Sequence, residues 1–400
     1  MIFDKINSPT LAVLKREFRR IAERKTIYVI SVVAPIILFT LFASIYKYEI
    51  PRKLPIAICD QDRTETSRLA IKYLESSSAM DIKYNVHSVD SIKELFWAGK
   101  IYGAFYFPEN METSLKNGKS TNVIIFKGAA NIITANYVYN DGYKICKMIS
   151  AGGVVKKIGS AGFSAQQAMN IANPIRVQAQ ILFNPNYSYE NYLVPGLMVA
   201  ILQMIIMMVA AIIISSELTH DTFNQLVTVA QNRVMPIVIG KSIPHLFLHM
   251  ATSLMIFGIL FTVFNIPING NIIYVMLFMF FFVAAAFFYG FFISVICKDQ
   301  QMATEAALFI NTPAFIFSGF TFPIWGMPLV HQIYAQTIPL THFLNGFLKL
   351  YQMNTPVHYV WPEIIKLSMF LFVALAGTII ILKVRILKIN KTKAREITND

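Results

Sequence analysis

Charged side chains are scarce in this chain: Asp, Glu, Lys and Arg make up 14% of its 400 residues, against about 25% in an ordinary soluble domain. Hydrophobic residues make up 55%, and the mean hydropathy is +0.52. So little charge excludes an ordinary soluble globular protein. The composition therefore predicts a polytopic α-helical membrane protein.

Cysteines and clustered metal ligands are also few. Three cysteines do not build a disulfide framework. Cys59 and Cys146 fall in one extramembrane region and could pair, although two unpaired thiols are the preferred interpretation. The seven histidines are scattered apart from one spaced pair. We predict no metal site, no cofactor and no catalytic group in this chain.

Acidic residues are outnumbered by basic ones, 22 to 35, which gives a net charge of +13. The basic residues cluster beside hydrophobic stretches, at 15–25 and again at 383–395. This distribution is typical of membrane orientation and of contact with membrane lipids. A nucleic-acid partner is therefore not expected.

Six hydrophobic stretches are long enough to cross a bilayer of about 30 Å. They are 26–46, 192–215, 237–264, 272–296, 303–322 and 362–383. The basic flanks predict cytoplasmic N- and C-termini in the inner (plasma) membrane. The expected organisation is a cytoplasmic interfacial helix at 1–25, the first span at 26–46, an extracytoplasmic domain at 47–190, the other five spans at 191–383 and a basic cytoplasmic tail at 384–400.

The first of these regions has helical periodicity. Leu11, Leu14, Phe18 and Ile21 form one apolar stripe, and basic residues occupy the other side. Such a helix lies in the membrane interface with its apolar face down. The simpler alternative is a basic flank that follows the positive-inside rule.

Residues 47–190 alternate between strand and helix patterns, which predicts an inserted α/β domain. The expected strands are 54–60, 81–89, 101–107, 122–127 and 175–183. The expected helices are 66–76, 91–100, 109–116 and a long one from about 131, interrupted at 152–153 and 159–162.

A short amphipathic segment, 217–226, follows the second span. Leu218, Phe223 and Leu226 can form an apolar face, while Glu217, Asp221 and Asn224 stay in water. Thr222 belongs to the same candidate coupling segment. Such a helix can bind in a groove of a partner protein. A solvated loop is the alternative.

Lys241, His245 and His249 recur every four residues on one face of the third span. Ionisable residues inside a span normally face the protein interior or a wet cavity, so a transport pathway is one interpretation. The other is that Lys241 extends to the cytoplasm and that each histidine bonds a backbone carbonyl. The adjacent stretch 239–242, Ile-Gly-Lys-Ser, resembles the end of a phosphate-binding loop, but Met235 stands where that motif needs glycine.

The fifth stretch ends in helix-breaking and aromatic residues, which predicts an outer re-entrant or gate segment at 318–345. The residues that suggest a gate are Pro313, Ser318, Gly319, Phe320, Phe322 and Pro323. Non-helical backbone at membrane depth is tolerated only where protein buries it or where it lines a path. Aromatic packing against lipid is the alternative.

These motifs together resemble the permease subunits of ABC-2 type exporters, in the subgroup with a large domain after the first span. The matching stretches are 54–63 with Ser67-Arg68, Tyr192-Leu-Val-Pro-Gly-Leu197, 217–226, Ile239-Gly-Lys241, 318–323 and 338–343. The sequence departs from the family at Asp221, where glycine is usual, and at Gln225, where glutamate is usual.

The resemblance implies a dimer of identical or paralogous permeases with a separate ATPase that binds ATP and Mg, and it leaves room for a periplasmic adaptor. Segment 217–226 would couple this chain to that ATPase. A signalling or mechanotransmission protein whose outer domain binds a partner is the alternative. An intramembrane enzyme is disfavoured, because the sequence shows no nucleophile–base set.

Overall fold

A computed structural model describes residues 8–46, 53–117, 119–128, 132–172, 182–184 and 188–399. The chain divides into two compact units. One combines residues 1–49 with 182–400, and the other is 50–181. We call them the helical unit and the inserted unit.

The helical unit begins with two helices, α1 (Pro9–Glu23) and α2 (Lys25–Tyr46). Proline at the first position of α1 suits a helix start, because its missing N–H would have no intrahelical partner there. Helix α1 buries Val13 and Glu17, whereas Phe18 of the predicted apolar stripe is 46% exposed. One face of α1 therefore packs on protein.

The inserted unit contains a four-stranded sheet flanked by helices. In chain order the elements are β1 (Leu54–Asp60), α3 (Glu65–Glu75), β2 (Met80–Asn85), α4 (Val89–Trp97), β3 (Gly103–Phe107), α5 (Met111–Lys116), β4 (Ile124–Lys127), α6 (Ile132–Ser160) and α7 (Ala165–Ala172). The strand order is β2-β1-β3-β4. Strand β1 runs parallel to β2 and β3, and β4 is antiparallel.

Alternation along β1 explains why both faces of this sheet are covered. Ile56 and Ile58 belong to one apolar cluster, and Ala57 and Cys59 belong to another. Successive side chains of a strand point to opposite faces, and parallel strands are normally buried on both. The four strands fall at the predicted places.

Two predictions for this unit need comment. An interruption at 152–153 is wrong, because α6 continues through both glycines to Ser160. The chain turns at Gly162, which has φ +92°. Most of the predicted strand 175–183 lies outside the described residues, and Leu182 and Phe183 are not in a strand.

The remainder of the helical unit is nine helices within the described residues 188–399. They are α8 (Tyr189–Thr219), α9 (Phe223–Val229), α10 (Val234–Val263), α11 (Ile272–Ile296), α12 (Gln300–Asn311), α13 (Ala314–Phe317), α14 (Leu329–Gln336), α15 (Pro339–Tyr351) and α16 (Trp361–Asn399). Helix α11 packs on α8 and α16, and α12 packs on α8. The predicted basic tail continues α16 as a helix.

In the part of the chain that the structure describes, five helices are long and apolar enough to cross a membrane: α2, α8, α10, α11 and the 357–391 region that includes α16. They occupy five of the six predicted stretches. The remaining stretch, 303–322, is divided between α12 and the four-residue α13. Pro313 separates these two helices, since proline cannot supply the backbone N–H that a helix interior needs.

The turn between α10 and α11 is fixed to the end of α15. Backbone N–H groups of Asn269 and Gly270 each donate to the carbonyl oxygen of Tyr351, both at 3.1 Å. The Asn269 side chain donates to the Gln352 carbonyl at 3.2 Å. These bonds satisfy carbonyl groups that the end of a helix leaves free.

We expect Gly270→Ala to lower the thermal stability of the full chain. A Cβ atom at this position would lie 1.7 Å from the Leu350 carbonyl oxygen, so backbone has to move. Such overpacking costs about 1–3 kcal/mol. The measurement is the unfolding temperature of the purified protein in detergent. Gly258→Ala is the control, because a Cβ atom there meets nothing within 4 Å; equal unfolding temperatures for the two variants would contradict the prediction.

Candidate functional site

The segment predicted to couple the chain to a partner begins inside α8 and ends in α9. Helix α8 ends at Thr219, and Asp221 then adopts φ +54°. The backbone N–H of Thr222 donates to the Glu217 carbonyl at 2.9 Å, which closes the turn. Helix α9 starts at Phe223 and contacts both α1 and α8.

The apolar face of α9 is covered by other residues of the same chain. Phe223 and Leu226 are 6% and 0% exposed and belong to the main core of the helical unit. These two side chains therefore form no free apolar face in this chain, and a coupling role for segment 217–226 stays a prediction. An amphipathic pattern shows that a face is buried, but the same pattern results whether the covering protein is the chain itself or another one. The exposed residues between Glu217 and Val229 are Thr219, His220, Asp221, Asn224, Gln225 and Thr228.

Glu217 does not stay in water either. Its side chain is 0% exposed and sits where α1, α8 and α10 meet. Two guanidinium nitrogens of Arg16 donate to its two carboxylate oxygens at 2.7 and 2.9 Å. The Lys241 ammonium donates at 2.6 Å. Arg20 and the Thr222 hydroxyl also donate to this carboxylate.

A second buried carboxylate, Glu17 of α1, shares the Lys241 ammonium. Lys241 Nζ lies 2.6 Å from Glu17 Oε2, and His245 Nε2 lies 3.0 Å from Glu17 Oε1. Burial alone would raise the pKa of Glu17, but Lys241 and His245 more than offset it and hold that pKa at about 2. Glu17 is therefore ionised at neutral pH.

Six residues form this ion cluster: Arg16, Glu17, Arg20, Glu217, Lys241 and His245. A glycine permits it, because a Cβ atom at Gly240 would lie 2.7 Å from Val13 Cγ1, so α1 approaches α10 closely there. Removing one partner of a buried ion pair leaves a charge uncompensated and costs about 3–5 kcal/mol. The cluster therefore holds α1 firmly on the ends of α8 and α10.

The predicted polar face of α10 exists. Lys241, His245 and His249 are 0%, 1% and 2% exposed. Lys241 does not extend to solvent, and Lys241 and His245 both face Glu17 of α1. A pathway role for the three residues stays a prediction.

Stretch 239–242 lies inside α10 and forms no phosphate loop, since the Lys241 ammonium is held by two carboxylates.

The acid that completes the cluster, Glu17, was missed by sequence reasoning. Arg16 and Arg20, which bind Glu217 in the same cluster, were assigned to the solvated side of an interfacial helix. One signal was available: Glu17 is an isolated acid in a basic helix, spaced four residues from Val13 on the face that proves to be buried. The match between that acid and Lys241, 224 positions later, depends on packing.

The predicted break near 318–323 is present as irregular backbone. Helix α13 ends at Phe317, Gly319 adopts φ +84°, and a short 3₁₀ turn follows Pro323. A positive φ favours glycine, because a Cβ atom is strained there. Ser318 is 1% exposed, and its hydroxyl donates to the Phe315 carbonyl at 2.7 Å. We call residues 313–323 the broken segment.

Two phenylalanines of the broken segment have different environments. The Phe320 ring stacks on Tyr192 with a centroid distance of 4.7 Å, and the Tyr192 hydroxyl donates to the Phe320 carbonyl at 2.6 Å. Phe320 is 8% exposed, whereas Phe322 is 52% exposed. Phe320 therefore packs inside its own chain, against the Pro-Gly opening of α8, and only Phe322 is available to a neighbour.

Comparison with known proteins identifies the family of this chain. Residues 25–380 match the family model described as ABC-2 family transporter protein. The chain belongs to this family. Its family and its long apolar helices show that it is a multi-pass membrane protein.

Curated relatives carry permease or transporter names. The probable multidrug ABC transporter permease YbhS of Escherichia coli K12 is 24% identical over 86% of this chain and 89% of its own length. The probable multidrug ABC transporter permease YbhR of the same strain is 26% identical over 46% of this chain and 49% of its own length. ABC transporter G family member 20 of Dictyostelium discoideum is 22% identical over 92% of this chain. The chain matches about half the length of the last two relatives.

Proposed function

We propose that this chain is the membrane-spanning permease subunit of an ATP-binding-cassette exporter. It moves a drug, a lipid or another amphiphile out of the cytoplasm or the inner leaflet. Membership of the ABC-2 family supports this proposal, as do the relatives named as probable multidrug permeases. A separate subunit carries ATP and Mg and supplies the energy.

The proposed assembly contains a second permease subunit, identical or paralogous, and a periplasmic adaptor is compatible with it. Both termini lie in the cytoplasm of an inner (plasma) membrane, and the inserted unit lies outside. The sixth crossing consists of α12 and α13 together with the broken segment. Basic residues next to α2 and in the C-terminal part of α16 support this orientation.

The observation that carries the proposal is the position of α9 beside the ion cluster. Helix α9 exposes polar side chains on one side, and its other side packs on α1 and α8. Thr222, at the start of α9, donates to Glu217, which also binds residues of α1 and α10. A force on α9 therefore reaches three helices through short, charged and buried contacts.

The mechanism we propose follows from that connection. Closure of the ATPase on nucleotide displaces the exposed side of α9. Because buried ion pairs resist separation, α1 moves with α9 and the ends of α8 and α10 as one body. That motion tilts α8, whose other end carries Tyr192 against the broken segment.

We expect Gln225→Arg to weaken association with the ATPase while the chain folds normally. Gln225 is exposed on the polar side of α9, so the change adds bulk and charge at the proposed contact without altering the core. The measurement is co-purification of the full chain with its ATP-binding partner subunit. Gln301→Arg, at another exposed position of the helical unit, is the control. Equal recovery of the ATPase with both variants would remove α9 from the contact.

The alternative is a signalling or mechanotransmission protein whose inserted unit binds a partner without transport. The broken segment favours the exporter, since a protein that only transmits force has no need of irregular backbone at membrane depth. ATP-dependent uptake of a fluorescent amphiphile by inside-out vesicles distinguishes the two. Stimulated ATPase activity without any uptake would support the alternative.

A further inference from the structure

A groove of about 700 Å³ opens between the starts of α1 and α10 and the C-terminal half of α16. Its walls are largely apolar and include Met235, Ile379, Ile386 and Leu387. It lies apart from the ion cluster and from the broken segment, and it is formed within the helical unit alone. Neither the proposed coupling nor the proposed gate uses it.

Two cations, Arg233 and Lys383, line this groove, and none of its 13 lining residues is acidic. Both side chains are exposed. Within the described residues, neither side chain makes a hydrogen bond or an ion pair. Their positive charge is therefore available to an anion.

Two helices also begin at the groove. Helix α1 starts after Ser8, and α10 starts after Arg233, and neither N-cap side chain bonds the first turn. The first N–H groups of a helix have no partner within it, and the helix dipole adds partial positive charge there. Two such starts beside two cations make this end of the groove strongly attractive to a phosphate.

We propose that the groove binds an anionic phospholipid. Its phosphate lies between Arg233 and Lys383, and an acyl chain follows the wall formed by Met235, Ile379 and Leu387. The protein thereby holds a lipid where three elements meet, so that bound lipid links α1 and α10 to α16.

The shape of the groove favours a lipid over a soluble anion or an acidic protein segment. A free phosphate has no use for an apolar wall, and a cytoplasmic protein segment would not extend along residues of a span. Helix α10 starts its apolar region at Val234, and Lys383 lies in the last part of the 357–391 candidate span. Cations at the ends of spans meet headgroups. The lipid would lie in the cytoplasmic leaflet, and that placement alone rests on the proposed function.

The test is native mass spectrometry of the full chain in detergent, titrated with phosphatidylglycerol or with phosphatidylcholine. We expect one phosphatidylglycerol to bind per chain in preference to phosphatidylcholine. The double variant R233Q/K383Q should weaken that binding about tenfold or more, since each cation near a headgroup contributes appreciably. No ATPase is present in this experiment, so its outcome is independent of whether the chain transports anything.

The control is K15Q/R19Q, which removes two exposed cations of α1 that do not line the groove. It should bind phosphatidylglycerol like the wild type. Equal loss in both double variants would show a diffuse surface charge and overturn the proposal. Displacement of the lipid by millimolar glycerol 3-phosphate would assign the site to soluble phosphates instead. Unchanged phosphatidylglycerol binding in R233Q/K383Q would also overturn the proposal.

Discussion

We expect Glu217→Gln to cause a large loss of stability of the helical unit. The variant keeps the shape of the side chain but leaves Arg16, Arg20 and Lys241 with Glu17 as the remaining carboxylate of the cluster. Lys241 is 0% exposed and cannot recruit water. Breaking a buried ion pair in this way costs about 3–5 kcal/mol. The unfolding temperature of the purified full chain measures the loss.

Two further variants separate the buried charge from a general loss of acid. Glu305→Gln removes an exposed carboxylate that, among the described residues, accepts a hydrogen bond from the exposed Gln301 at 2.9 Å. It should leave the unfolding temperature unchanged. Combining Glu217→Gln with Arg16→Met removes one of the cations that lose their carboxylate and should recover part of the loss, because Lys241 still pairs with Glu17 at 2.6 Å. A double variant less stable than Glu217→Gln alone would show that the cluster is not governed by charge balance.

Much of the fold could be predicted because it depends on local patterns. The stretch Ile272–Ile296 is bounded on both sides by polar residues, so length and hydropathy fix its ends. Strand β1 was predicted at Leu54–Asp60, where apolar residues continue without interruption and a polar turn follows. Gly152 and Gly153 misled the prediction for α6, since a helix whose neighbours stabilise it tolerates glycine at a cost of about 1 kcal/mol each.

The ion cluster could not be predicted because its members are far apart in sequence. Arg16 and Glu217 are separated by 201 positions, and only the packing of α1 on α10 brings them together. Phe223 raises the same problem in another form. Its spacing correctly predicts a buried side chain. Periodicity does not show which surface covers that side chain, because this depends on tertiary packing.

The broken segment could be predicted in part. Pro313, Gly319 and Pro323 predict irregular backbone because proline and glycine disfavour a continuous helix, and the helix does end in this segment. The separate roles of Phe320 and Phe322 depend on Tyr192 and Gly196 of α8, more than 120 positions earlier. A gate at this segment is a proposal, and the difference between the two rings supplies its test.

We expect Phe322→Ala to change export without changing stability. Its side chain is 52% exposed, so truncation removes little buried surface, and such changes alter stability by about 0.5 kcal/mol at most. Phe320→Ala should instead lower stability by about 3–5 kcal/mol, since it empties the space between Tyr192 and Gly196. The measurements are the unfolding temperature and ATP-dependent uptake of a fluorescent amphiphile by inside-out vesicles.

Phe309→Ala is the matched control for Phe322→Ala. Phe309 is 81% exposed on α12, in the same predicted crossing but outside the broken segment. If Phe322 closes an apolar constriction against a second subunit, its loss alters the uptake rate or the range of amphiphiles accepted, and the loss of Phe309 does not. Wild-type uptake in Phe322→Ala would place the constriction elsewhere. The stacking of Phe320 on Tyr192 would then be the main role of this segment, since it holds irregular backbone against α8.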